Sequence, residues 1–191
     1  MNCTECTEKK CRKEQESCKK ESFDKQTLLG DYRNPINSLI IENASQLVDN
    51  GKAGTLSRLE EVLEFSSLMG YKKIGLAYCY GLEKYAVEIE KIILKKGFAA
   101  TSVSCSIGGI KQSEINKTSC IHKVSCNPIG QAYQLNIENV DLTIIIGLCV
   151  GHDILLQRNL QMDFTILIVK DRVFKHNPIE AVKSCIDTKK V

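Results

Sequence analysis

The chain has 191 residues, enough to bury a hydrophobic core in one domain without disulfide support. Its 26 basic and 23 acidic side chains give a formal net charge of +3, a near balance that argues against a protein that coats a nucleic-acid backbone. The most apolar run, roughly residues 142–151, is far shorter than the ~20 residues that cross a bilayer. The polar N-terminus lacks the apolar stretch of a secretion signal. We therefore expect a cytoplasmic protein without a membrane partner.

Ten cysteines are the unusual feature of the composition. A reducing cytoplasm disfavours structural disulfides, which leaves metal binding, catalysis or packing in the core as explanations. Two of the ten, Cys120 and Cys185, have no placement that points to a role. The other eight fall into two groups of four.

The first group lies in residues 1–24, a segment with almost no hydrophobic side chain. Its composition is typical of disordered chains, and binding of a metal would stabilise a folded structure of this segment. The spacing is C-x2-C-x4-C-x6-C, and the first pair has the spacing at which two thiolates bind one ion. The irregular later gaps favour an iron-sulfur cluster over zinc, because cluster ligands attach to separate irons. The alternative is a solvated basic tail. The predicted ligands are Cys3, Cys6, Cys11 and Cys18.

Residues 25–54 are predicted to be a helical connector, with a helix over 36–48. Ser57 and Glu60 form a capping box that opens a helix ending at Gly70. Further helices are predicted over 82–96, from Pro128 to about residue 140, and from Pro178. Short apolar strands are predicted over 73–79, 98–104, 142–147 and 164–170, with a loop over 106–125. This alternation predicts an α/β domain over 55–191 with a doubly wound, mostly parallel sheet, a Rossmann-like three-layer sandwich.

The second group of cysteines follows this sheet. Cys79, Cys105 and Cys149 fall at or just past strand ends, and Cys126 directly precedes a predicted helix, whose positive end favours a thiolate. Ligands of open parallel sheets bind beyond the carboxyl ends of the strands. The four thiols are therefore predicted to meet in one pocket and to bind a metal or a cluster. The alternative is that each is a small buried hydrophobic side chain.

Two side chains are predicted to act on a substrate in this pocket. His152 lies in a glycine-flanked turn three residues after Cys149, where it could be a ligand, a proton donor or a residue that holds the loop by hydrogen bonds. Lys170 ends the fourth strand, where its charge could position an anionic substrate. The alternative for Lys170 is an ordinary surface ion pair.

Several long strings in the sequence carry a resemblance to a known family. They are residues 57–61, 69–79, 126–132, 135–136, 147–153, 169–173 and 176–178. Together with the N-terminal cysteines they cover nearly the whole chain and resemble the predicted metal-binding proteins called domain of unknown function number eighteen forty-seven, found widely in anaerobic bacteria and archaea. The resemblance implies metal binding, with cysteines of the family at the positions of the second group, but no established reaction. The chain departs from the family at Ser106, where relatives tend to carry a lysine.

Three functions fit these patterns. The first is an iron-sulfur protein, with a cluster of the 4Fe-4S type favoured, in which an open iron acts as a Lewis acid on a small molecule such as a sulfur-containing one. The second is a fully ligated electron-transfer or redox-sensing protein with a protein redox partner. The third is a zinc protein that serves as a structural or interaction module, and a homo-oligomer is compatible with all three. No dinucleotide fingerprint follows the first strand.

Overall fold

The computed structural model describes residues 2–16, 23–49, 51–120 and 123–188. The chain divides into two compact units, Met1–Gln46 and Leu47–Val191. Cys18, one of the predicted N-terminal ligands, lies outside the described residues. Within the described part of the chain, no helix combines the length and the apolar character needed to span a bilayer.

The first unit is helical. Its helices are α1 (Lys10–Lys13), α2 (Lys25–Tyr32) and α3 (Pro35–Asp49), which ends just past the boundary between the units. The predicted helix over 36–48 is thus confirmed as α3. The sequence did not indicate α2, which is polar and short, although Asp24 caps it by accepting a hydrogen bond from the Thr27 amide at 2.7 Å.

The second unit is α/β, as predicted. Its strands are β1 (Lys73–Tyr78), β2 (Ala99–Ser104), β3 (Leu142–Ile146) and β4 (Asp163–Ile168). They form one sheet in the order β2-β1-β3-β4, and all three pairings are parallel. Its helices are α4 (Arg58–Leu68), α5 (Glu83–Lys95), α6 (Gln112–Ile115), α7 (Pro128–Ile137), α8 (Val150–Asn159) and α9 (Pro178–Thr188).

The two faces of the sheet bury separate apolar clusters. Within β3, Ile144 packs in the cluster that includes Leu63 of α4 and Ile93 of α5. Its neighbour Ile145 packs in the other cluster, with Leu156 of α8 and residues of α7. Successive side chains of a strand point to opposite faces, so a strand covered on both sides has to be continuously apolar. Every residue of β3 is buried, and four of its five side chains are aliphatic, with Thr143 as the one polar residue.

Two local expectations were wrong. Residues 147–153 were expected to form a turn, but α8 begins at Val150 and places His152 in its first turn. The helix was not predicted because its N-cap is Cys149, an uncommon capping residue whose side chain makes no capping hydrogen bond, and because a glycine stands inside it. The expected loop over 106–125 contains α6 and an antiparallel bridge between Lys111 and Val124.

Candidate functional site

All four strands end at the same edge of the sheet, and each is followed by a chemically reactive or charged residue. Cys79 comes directly after β1 and Cys105 directly after β2. Cys149 follows β3, and Lys170 follows β4. β1 and β3 are neighbours although they are not consecutive, so the chain leaves them toward opposite sides. Such a switch point opens a crevice at the carboxyl edge, and Cys79 and Cys149 flank it.

Backbone hydrogen bonds extend the ladder of the sheet past the strand ends. The Cys79 amide donates to the Ile146 carbonyl at 3.1 Å, and the Cys105 amide donates to the Tyr78 carbonyl at 2.9 Å. The Asn127 amide then donates to the Cys105 carbonyl at 2.6 Å. These bonds hold the segment that carries Cys126 against the end of β2. Three cysteines that are distant in sequence are thereby fixed by the backbone.

Asn127 anchors the start of α7 beside the cysteines. Its side-chain oxygen accepts from the Gly130 amide at 2.9 Å, and its side-chain nitrogen donates to the Ile107 carbonyl at 3.2 Å. Pro128 occupies the first turn, where its missing amide hydrogen costs no helical bond. The cap predicted from this pair of residues is confirmed, and it also ties α7 to the loop after β2.

Gln131 is a positioning residue that the sequence did not reveal. Its fully buried side chain donates from Nε2 to the Tyr78 carbonyl at 3.1 Å and to the Val103 carbonyl at 2.8 Å. These carbonyls lie one residue before Cys79 and two before Cys105. A glutamine on the apolar face of a helix is the signal that could have pointed to it, because a buried amide needs partners.

The thiols of Cys79, Cys105 and Cys126 form a contiguous group. Cys79 and Cys105 belong to one buried cluster, Cys126 packs against that cluster, and the Cys105 sulfur accepts from the Tyr80 amide at 3.4 Å. Cys79 and Cys105 are 6% and 2% exposed, whereas Cys126 is half-buried. Access from solvent therefore increases toward Cys126.

A lysine ammonium contacts this group. Lys170 Nζ donates to Cys79 Sγ at 2.6 Å. Burial alone would raise the pKa of Cys79, but the hydrogen bond and charge of Lys170 outweigh burial and leave that pKa below its ordinary value. At Cys105 burial dominates and, with the neighbouring Cys126, raises the pKa to about 12. The pocket thus makes the Cys79 thiol more acidic, and the Cys105 thiol less acidic, than an ordinary cysteine.

Cys149 forms a second pair of a sulfur and a cation. Arg172 donates from Nη2 to Cys149 Sγ at 3.3 Å, and this contact raises the pKa of Arg172. The loop after β4 holds Arg172 there. Asp171 accepts from the amides of Val173 and Phe174 at 2.9 and 2.8 Å, and the Asp171 amide donates to His176 Nδ1 at 3.2 Å. Asp171 and His176 therefore shape the loop rather than line the pocket.

His152 lies in the same neighbourhood. It is half-buried, and burial together with the charge of Lys170 lowers its pKa, so its imidazole is neutral near pH 7. The structure brings together the second cysteine group, His152 and Lys170. Cys3, Cys6 and Cys11 are exposed free thiols of the first unit.

The described residues do not form a site for a single metal ion. Over residues 2–16, 23–49, 51–120 and 123–188, no three His, Cys, Asp or Glu side chains are arranged to hold a single metal ion. Two of the thiols instead accept hydrogen bonds from cations, Cys79 from Lys170 and Cys149 from Arg172. All four predicted donors are sulfur atoms, the ligand type that soft metals and iron-sulfur clusters select.

Comparison with known proteins gives the family of the chain. An uncharacterized protein of Methanocaldococcus jannaschii is 42% identical over 187 residues, which are 95% of this chain and 93% of that protein. No solved structure matches the chain. The family model described as "Protein of unknown function (DUF1847)" matches residues 14–167. The chain therefore belongs to this family of proteins of unknown function, as the resemblance in its sequence indicated.

Proposed function

We propose that this protein holds an iron-sulfur cluster at the carboxyl edge of its sheet and that the site acts on a small molecule. One observation carries the proposal: three thiols from separate parts of the chain, Cys79, Cys105 and Cys126, pack together in one cluster there. A single buried cysteine is common in cores. Three in contact at a strand-end crevice are better explained by a shared ligand.

The chemistry of the donors supports a cluster over a single ion. Zinc requires its ligands to surround one point at about 2.3 Å. Among the described residues no three donor side chains are so arranged, whereas the ligands of a cluster bind separate irons and their sulfurs stand further apart. Binding of a cluster would therefore spread the packed thiols of Cys79, Cys105 and Cys126. Thiolates around a cluster leave net negative charge, and the two cations that contact Cys79 and Cys149 would offset it. A 4Fe-4S type fits three or four such ligands.

The position of Cys149 supports an open site. Its sulfur is paired with Arg172, and Cys149 does not belong to the cluster in which the other three cysteines pack. With three protein ligands, a cluster keeps one iron free to polarise an oxygen or sulfur atom of a bound molecule. Lys170 would hold an anionic group of that molecule, and the neutral imidazole of His152 would accept or donate its proton.

Two alternatives remain as candidates. If Cys149 is the fourth ligand, the protein is an electron carrier or redox sensor, which the placement of all four cysteines at one edge favours. If zinc binds, the protein is a structural or interaction module. The exposed N-terminal cysteines are candidate ligands of a second centre, for which their spacing is the support. In each case the compartment would be the reducing cytoplasm, and the arrangement of helices around the sheet a Rossmann-like three-layer sandwich.

The test is purification without oxygen, followed by measurement of iron, acid-labile sulfide and zinc per chain together with the visible spectrum. A variant with serine at Cys3, Cys6, Cys11 and Cys18 isolates the strand-end site. We expect iron and sulfide in that variant, and their loss after a further serine substitution of any thiol of the contiguous group. Cys149→Ser should keep the cluster if the site is open. A colourless protein with stoichiometric zinc would exclude both iron-sulfur functions.

A further inference from the structure

Cys79 and Cys105 occupy facing positions on neighbouring strands. The β1 and β2 register ends with Tyr78 opposite Ser104, so the next facing pair is Cys79 and Cys105. The bond from the Cys105 amide to the Tyr78 carbonyl keeps this register past the strands. Neighbouring strands are ~4.8 Å apart. A disulfide needs Cα atoms about 4.4 to 6.8 Å apart, so the backbone already meets this requirement.

The side chains of the two residues also point the same way. Both belong to the apolar cluster on one face of the sheet, as facing residues of parallel strands must. The Cys105 sulfur accepts from the amide of Tyr80, the residue directly after Cys79. The thiols are therefore neighbours on one face of the sheet, as a disulfide between them requires.

Cys79 is 6% exposed, and the residue beside its sulfur is a glycine. Gly81 carries no side chain, and a Cβ there would lie 3.7 Å from Cys79 Sγ. A larger residue at position 81 would cover the Cys79 sulfur, and the glycine leaves that side of the sulfur uncovered. Lys170 contacts the same sulfur and would attract an anionic reactant toward it.

We infer that Cys79 and Cys105 form a reversible disulfide when no metal is bound, with a small disulfide as the oxidant. The Cys79 thiolate attacks one sulfur of the small disulfide RSSR, forms a mixed disulfide and releases one RS⁻. The Cys105 sulfur, on losing its proton, then attacks Cys79 Sγ and releases the second RS⁻. Two protein thiols are oxidised, RSSR is reduced to two RSH, and the two thiol protons end on them.

Formation of this disulfide would regulate the proposed function, because it would control whether the site can bind its metal. Sulfurs joined to each other cannot bind a metal, because the ligand is the thiolate. Disulfide formation and metal binding therefore exclude one another at these two residues. Only this coupling rests on the proposed function; the disulfide itself follows from the register and the contacts of the thiols.

The experiment uses the full-length protein, reduced, freed of metal with a chelator and exposed to glutathione disulfide without oxygen. Free thiols are alkylated, the protein is cleaved with trypsin and the peptides are identified by mass. Cleavage after lysine and arginine places Cys79 in residues 74–84, Cys105 in 97–111, and Cys126 with Cys149 in 124–158. The candidate disulfides of Cys105 therefore give different cross-linked peptides.

We expect 74–84 joined to 97–111, with the two peptides separated again by a reductant. Cys105→Ser should trap glutathione on Cys79 as a stable mixed disulfide, whereas Cys185→Ser, at an exposed thiol of α9, should leave the cross-link unchanged. A cross-link from 97–111 to 124–158 instead, or four free thiols at the pocket, would overturn the inference.

A second arm separates this inference from the metal proposal. The protein loaded with iron and sulfide is exposed to the same oxidant, and we expect the cross-link to form at least tenfold more slowly. Equal rates with a correctly placed cross-link would refute the metal proposal at this site while supporting the disulfide. A disulfide that forms and does not lower iron binding would refute the regulation.

Discussion

Replacing Lys170 by methionine removes the cation beside Cys79 while keeping a side chain of similar length. Lys170 Nζ lies 2.6 Å from Cys79 Sγ, and a hydrogen bond to a charged group contributes about 1.5 to 3 kcal/mol. One pKa unit corresponds to about 1.4 kcal/mol. We therefore expect the pKa of Cys79 to rise by about one to two units, because burial is then no longer compensated.

The assay is a pH titration of the reduced, metal-free protein with carbon-13 in its cysteine Cβ atoms, followed by nuclear magnetic resonance. The resonance of Cys79 is assigned by its loss in Cys79→Ser. His152 provides a second readout, since the charge of Lys170 lowers its pKa and Lys170→Met should raise it. Lys175→Met, an exposed position of the same loop, is the matched control. If the pKa of Cys79 is the same in Lys170→Met and in Lys175→Met, Cys79 and Lys170 do not form a direct thiolate and ammonium pair.

Three further changes test how the site is built and how it depends on pH. Gly147→Ala should lower the free energy of unfolding by about 1 to 3 kcal/mol, because the residue has φ +59° and its Cβ would lie 2.1 Å from Leu82 Cδ1. Gly151→Ala should instead raise that free energy by about 0.5 to 1 kcal/mol, because Gly151 lies inside α8 with open space around it. Equal urea denaturation curves for the two variants would contradict both expectations. Gln131→Leu should cost about 1 to 3 kcal/mol, since the Tyr78 and Val103 carbonyls each lose one hydrogen bond and Tyr78 keeps only that from the Cys105 amide. An unchanged denaturation midpoint would show that the two bonds do not stabilise the fold. The folded protein binds fewer protons at His152 than the unfolded chain, so the stability should fall as the pH drops through the ordinary range of histidine. His152→Gln should flatten this decline, and an equally steep decline in the variant would exclude His152 as its source.

Much of the α/β unit could be predicted because local signals and tertiary structure agree. Ser57 and Glu60 form the expected capping box in α4, and Asn127 caps α7 as its sequence indicated. The alternation of apolar strands with helices gave the parallel sheet. Where local signals were weak, prediction failed: α8 has Cys149 as its N-cap and contains a glycine, and its helical state depends on packing of Leu156 against the sheet.

In the candidate site, too, some features could be predicted from the sequence and others could not. The thiols at strand ends could be predicted to lie near one another, because the ends of parallel strands share an edge. Which sulfur contacts which cation could not, since the pairs of Lys170 with Cys79 and of Arg172 with Cys149 join residues 91 and 23 positions apart. Gln131 was missed for a related reason: its carbonyl partners lie on strands 53 and 28 residues away.

The most direct test of the proposed metal centre is a crystal structure of the protein prepared without oxygen, with diffraction measured on both sides of the iron absorption edge. An anomalous difference peak within bonding distance of the sulfurs of Cys79, Cys105 and Cys126 is the expected result. A map without iron at these three sulfurs, from crystals grown of protein loaded with iron and sulfide, would contradict an iron-sulfur centre at the carboxyl edge of the sheet.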